Sequence, residues 1–188
     1  MKIINNQDIL LLDELKHLTT EKSNIFISCD YFTSYAIFEL IDILKNANQV
    51  NILLNFQEQE VDDFKFIHNQ TEKKLNLKLD RKYRIKQVIT LIEDKVEIRS
   101  GITGNQNILL IENDGISTCF IITPQNLDLI SLGLLPSQFP LFINSFEDSS
   151  NQYLNLFINA WDQTTQSLND IVVNKLNKGI QSYSGEEI

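Results

Sequence analysis

Residues 24–54 read NIFISCDYFTSYAIFELIDILKNANQVNILL, and this stretch decides the fold class. NIFISC (24–29) and QVNILL (49–54) are short, nearly continuous apolar runs, the pattern of strands buried on both faces. Between them Ile37, Leu40, Ile41 and Leu44 recur at helical spacing, and Ser34 is placed to cap the helix. Two such strands joined by a helix of about 12 residues make a βαβ unit, which predicts parallel neighbouring strands.

Working outward, Ile9, Leu12, Leu15 and Leu18 predict a leading helix over residues 8–19, with Asn5 and Asn6 as candidate caps. Residues 55–79 are polar and poorly periodic and read mainly as loop. Asp80 is placed to cap a helix to about residue 94 that buries Tyr83, Val88, Leu91 and Ile92, and VEIR (96–99) reads as a short strand. NILLIE (107–112) and ISTCFIIT (116–123) flank Asn113-Asp114-Gly115. Asp-Gly between two β-rich runs supplies the positive φ angles of a tight turn, so an antiparallel hairpin is expected. LFIN (141–144) offers another strand. Ser149 or Ser150 should then open one long final helix that buries Leu154, Phe157, Trp161, Leu168, Ile171 and Val172.

The 188 residues suit a single domain with its own core, with roughly the last 15 read as a boundary tail or linker. Acids at Asp8, Asp13 and Glu14 interrupt the N-terminal apolar run and exclude a signal-peptide core. The charge-free run 129–146 carries Pro136, Pro140 and several polar residues, so no membrane span is expected. Left exposed, that run would mark an interface. Cys29 and Cys119 lie in strand-like runs and read as reduced core residues of a cytoplasmic chain.

The net charge of -9 argues against general affinity for phosphate backbones. Yet of sixteen basic residues, Lys65, Lys73, Lys74, Lys78, Arg81, Lys82, Arg84, Lys86, Lys95 and Arg99 fall close together. That segment is either a solvated helix face or a nucleic-acid contact through Lys73, Lys74, Lys78, Arg81, Lys82, Arg84 and Lys86. His17 and His68 lack partners at metal-ligand spacing, the acidic pairs are adjacent in sequence, and no phosphate-cradling glycine motif or serine elbow occurs. No metal or cofactor is therefore expected.

SCDYF (28–32) after the first strand, KVEIR (95–99), the Asp114-Gly115 hairpin, ITPQN (122–126) at its exit and FINAW (157–161) near the end follow one another in a distinctive order. The chain thereby resembles the phospholipase-D-like domain found at the N-terminus of many bacterial superfamily-2 helicases and in some restriction nucleases. The resemblance spans about residues 4–165 and implies a mixed β-sheet flanked by helices. It also implies His-x-Lys on the hairpin's first strand, an asparagine in the exit turn, and a cleft that Tyr31 and Phe32 would flank. Here the His-x-Lys positions hold Gln106 and Ile108, and only Asn126 keeps the asparagine. Glutamine cannot attack phosphorus and isoleucine offers no charge to a phosphate.

What the resemblance implies is then a catalytically inactive interaction or regulatory module. It would self-associate as a homodimer or join a helicase-type partner domain in DNA processing or defence. A divergent active phosphodiesterase and a nucleic-acid-binding domain using the basic segment are the alternatives.

Overall fold

Asp114 (φ 52) and Gly115 (φ 81) both take positive φ, and around them the hairpin forms as expected. β5 (Asn107–Asn113) pairs antiparallel with β6 (Ile116–Ile122), Asn113 facing Ile116. The computed structural model describes residues 1–55, 66–75, 78–101, 107–123, 126–137 and 141–182, with backbone alone at 78, 79, 181 and 182. The hairpin occupies the middle of a seven-stranded mixed sheet flanked by helices, in the order β1-β7-β6-β5-β2-β3-β4.

The βαβ reading holds: β2 (Asn24–Cys29) and β3 (Gln49–Leu54) are parallel neighbours in register from Asn24↔Gln49 to Cys29↔Leu54. The connecting helix is two pieces, α2 (Ser34–Glu39) and α3 (Ile41–Asn46), divided at Leu40. Thr33, not Ser34, is its N-cap and accepts from the Ala36 amide. β4 (Val96–Ser100) adds a third parallel strand, and β5 meets the other side of β2 antiparallel.

Further expectations are corrected. A first strand, β1 (Lys2–Ile4), lies ahead of the leading helix and pairs antiparallel with β7 (Ile143–Asp148). The strand expected at 141–144 is therefore displaced toward Asp148 by its pairing with β6. The leading helix α1 is shorter, Leu11–Leu18, because Asn5 and Asn6 hold residues 5–10 in a turn: Asn5 Oδ1 accepts from Gln7 and Asp8, and Asn6 Oδ1 from Leu11. The loop expected over 55–79 contains a helical turn, α4 (Gln70–Lys73), closed by a capping box between Asn69 and Glu72.

The final helix is two helices, α6 (Gln152–Asp162) and α7 (Asn169–Ser182). Alternation along the strands separates two apolar layers, and each helix serves a different one. Phe26, Leu53, Leu110 and Cys119 face Leu154, Phe157 and Trp161 of α6. Ile25, Ile27, Ile52, Leu54, Leu109 and Phe120 face the opposite way, toward α1, α2, α3, α5 (Lys78–Asp94) and the Val172 and Leu176 side chains of α7. The chain must bend around the β4 edge to pass from one layer to the other. There the Leu168 amide donates to Ile98 O, while the Asn169 carboxamide accepts from Ile98 N and donates to Val96 O. The same contacts occupy backbone groups that an edge strand would leave unpaired. Arg99 finishes the turn: its guanidinium lies 4.4 Å from the Trp161 ring centroid and donates to the Trp161 and Thr164 carbonyls. Helix α7 continues into the region read as a tail, with Leu176 fully buried. No helix among the described residues is long and apolar enough to cross a membrane.

Candidate functional site

The parallel strands β2, β3 and β4 all end on one side of the sheet, where β5 begins and β6 ends. Backbone polarity exposed beyond carboxyl ends of strands is a recurrent place for ligands in open α/β sheets. This end is lined with carboxamides and hydroxyls. Asn55 follows β3, its amide donating to Cys29 O and its side chain reaching Ser28 Oγ at 3.4 Å. Asn107, fully buried, donates through Nδ2 to Asn126 O at 3.0 Å. Residues 31–33 run beside 126–127: Leu127 N donates to Tyr31 O and Thr33 N to Leu127 O.

The positions singled out in the sequence separate here. Ile108 pairs with Ser28 and packs half-buried against the layer beneath α6, so it faces away from Asn107. Asn126 is half-buried, and its backbone carbonyl is what the neighbouring Asn107 engages. Gln106 lies outside the described residues. Tyr31 is half-buried, its hydroxyl pushed up to about 12 by burial and then by the nearby Asp128, Glu72 and Asp30 charges. Phe32 is core, fully buried with its ring centroid 5.1 Å from that of Phe66.

Behind this end lies a sealed polar knot that was not anticipated. Glu72 has no exposed surface, and its carboxylate accepts from three segments: Thr33 Oγ1 at 2.9 Å, Leu129 N at 3.0 Å and Asn69 N at 2.9 Å. Asn69 Nδ2 donates to Asp128 Oδ2 at 3.0 Å, and Asp128 Oδ1 accepts from Ser131 N at 2.9 Å. Burial drives both carboxyls above their ordinary values, and the three bonds to Glu72 only partly offset it. The sequence signal was Asn69-x-x-Glu72, a capping-box spacing inside a stretch otherwise without period.

The basic segment is divided. Lys73, Lys74, Lys82 and Lys86 are exposed, whereas Arg81 and Arg84 are buried, 5% and 3% exposed, and are removed from any surface contact. Arg84 Nε donates to Ser34 Oγ, and its guanidinium lies 3.5 Å from the Tyr35 ring centroid. The side chain of Lys78 lies outside the described residues. Tyr83, expected inside, is 60% exposed because the buried stripe of α5 runs through Arg81, Arg84, Ile85, Val88, Leu91 and Ile92.

His17 is exposed on α1. His68 is 9% exposed, and burial lowers its pKa. Its Nε2 is sealed from solvent and has no hydrogen-bond partner among the described residues. Cys29 and Cys119 are buried free thiols, both raised by burial, Cys119 to about 12, so neither supplies a thiolate at neutral pH. No group of three or more His, Cys, Asp or Glu among the described residues could hold a metal ion.

Fold and site thus define an α/β chain whose open sheet end is polar and mostly neutral, with its buried acids drawn back into a structural knot. Comparison of the chain with protein-family models and with curated proteins gives no match.

Proposed function

We propose that the chain is a catalytically inactive phospholipase-D-like module that self-associates or binds a helicase-type partner domain in a DNA-processing or defence system. The carrying observation is the chemistry of the hairpin end. Gln106, Ile108 and Asn126 occupy the sequence positions where the resemblance would have the phosphoryl-transfer groups, and none can act as a nucleophile or balance a phosphate charge. The order of elements supports the fold part of the reading. A leading helix, two parallel strands joined by a helix, a third short strand, a hairpin and a closing helix follow in the expected sequence. With Arg81 and Arg84 buried, the nucleic-acid alternative rests on the lysines alone.

The test has two arms. The purified chain, assayed on an activated phosphodiester in the presence of chelator, is expected to show no turnover above buffer; turnover abolished by Asn126→Ala would overturn the reading. Light scattering on the same sample is expected to give a mass of at least two chains. A strictly monomeric chain would remove the self-associating form and leave the hetero-partner form.

A further inference from the structure

The two faces of the sheet are covered unequally. Among the described residues α6 is the one helix packed on its layer, whereas α1, α2, α3, α5 and α7 pack on the other. One row of paired residues crosses the α6 face from β3 to β1: Leu53, Ser28, Ile108, Ile121, Asn144 and Ile3. Leu53 and Ser28 are sealed, Ile108, Ile121 and Asn144 are half-buried, and Ile3 is 55% exposed, so cover runs out toward β1. Helix α6 crosses this face obliquely, from its Tyr153 ring against Phe146 of β7 to its Trp161 ring against Arg99 of β4. The flank toward the open part carries Tyr153, Leu156 and Ala160, spaced i, i+3 and i+7, and Leu156 is 58% exposed. Neither the row nor α6 from Gln152 to Trp161 contains a charged residue.

We propose that this face is the contact surface between two copies of the chain, related by a two-fold axis that seats each α6 in the open part of the other's sheet. The inference rests on the self-association in the proposed function and names its surface. At the level of the row, β5, β6, β7 and β1 span about 19 Å at about 4.8 Å per strand, room for a second helix of about 10 Å diameter beside α6. A copy of α6 suits that place, since its Tyr153, Leu156 and Ala160 flank is uncharged and mostly apolar. Each chain carries a net charge of -9, and copies that meet through charge-free faces do not bring their acids together. Area favours a pair as well. A stable contact takes about 800 Å² from each partner, more than one helix flank supplies, and the two-fold arrangement uses the flank and the open sheet of both copies.

The experiment measures the mass of the full chain by light scattering and sedimentation over a concentration series, for the parent, Leu156→Asp and Tyr83→Asp. Leu156 and Tyr83 are both exposed, but Tyr83 lies on α5, against the opposite layer. The parent is expected to be a dimer. Leu156→Asp places a carboxylate in the contact twice over and should raise the dissociation constant at least about a hundredfold. Tyr83→Asp should leave it within about threefold. Leu156→Cys should form a covalent dimer on oxidation with copper phenanthroline, because the two-fold brings the α6 flanks together while Cys29 and Cys119 stay buried. A dimer that Leu156→Asp does not weaken would overturn the proposed face and leave self-association standing. A monomeric parent would overturn both, with the turnover assay still judging catalytic inactivity. Should Leu156→Asp fail to fold, absence of the oxidised dimer in Leu156→Cys would overturn the face.

Discussion

Two polar clusters lie at the same end of this molecule and are built to opposite rules. At the sheet end Ser28, Asn55, Asn107 and Asn126 are neutral, and Asn55 and Asn126 keep some contact with solvent. In the knot Glu72 and Asp128 are acids with almost no exposure, each held by several donors. A buried acid is tolerable only where hydrogen bonds replace water, so the knot's chemistry is committed to holding three segments together. Strongly shifted titratable groups in a cleft are usual candidates for catalysis. Here the shifted carboxyls are sealed, and Ser28 and the asparagines of the open end do not titrate, which argues for positioning in the knot and recognition at the sheet end.

The comparison breaks most decisively at Glu72. Glu72→Ala strands Thr33 Oγ1, Leu129 N and Asn69 N in a dry setting and should lower stability by about 3 kcal/mol in urea unfolding. A loss under about 1 kcal/mol would mean that water replaces the carboxylate easily. Arg84→Met should follow at about 2 kcal/mol, since it removes a charge-assisted bond to Ser34 and leaves that hydroxyl with one fewer partner. Lys82→Ala on the exposed side of the same helix should stay within about 0.5 kcal/mol.

The pH dependence gives a finer test because the groups pull in opposite directions. Glu72 and Asp128 titrate above their ordinary values in the folded chain, so the folded state binds more protons than the unfolded one between the two values. Their contribution is fully present below the unfolded pKa and is lost as pH rises through the raised folded value. His68 is lowered, so its contribution is present above its ordinary pKa and is lost as pH falls through the depressed folded one. Unfolding free energies measured across mildly acidic to neutral pH should show a smaller first slope in Glu72→Gln, with the Asp128 share remaining, and should lose the second in His68→Gln. A Glu72→Gln curve parallel to the parent's would show that Glu72 is not raised.

Legibility followed the range of the forces involved. The β2–helix–β3 unit and the Asp114-Gly115 hairpin were readable because local rules and the sheet agree: continuous apolar runs want burial on both faces, and two positive φ angles want Asp-Gly. β1 was missed because three residues carry too little pattern, and it exists only through its pairing with β7. The division at residues 163–168 was invisible because periodicity reports that Trp161 and Leu168 are buried, not that they are buried on opposite faces of a sheet. Arg84 and Tyr83 exchanged places for a related reason. Burial scales place tyrosine inside and arginine outside, but Ser34 and Tyr35 offer the guanidinium partners that the scale does not see. The knot needed contacts between residues 33, 72 and 129, which no local window contains.

The smallest expected effect bears on the sheet end itself. Asn126 meets Asn107 through its backbone carbonyl, so Asn126→Ala should retain that bond and shift stability by no more than about 0.5 kcal/mol. Asn107→Ala should be larger, about 1 kcal/mol, because it leaves that carbonyl without its donor and opens a small void beside Ile122. Measured together by urea unfolding, the two substitutions separate a carboxamide that shapes the site from one free to meet a partner. If Asn126→Ala destabilised as much as Asn107→Ala, the Asn126 side chain would be part of the scaffold rather than a group for recognition at the open end.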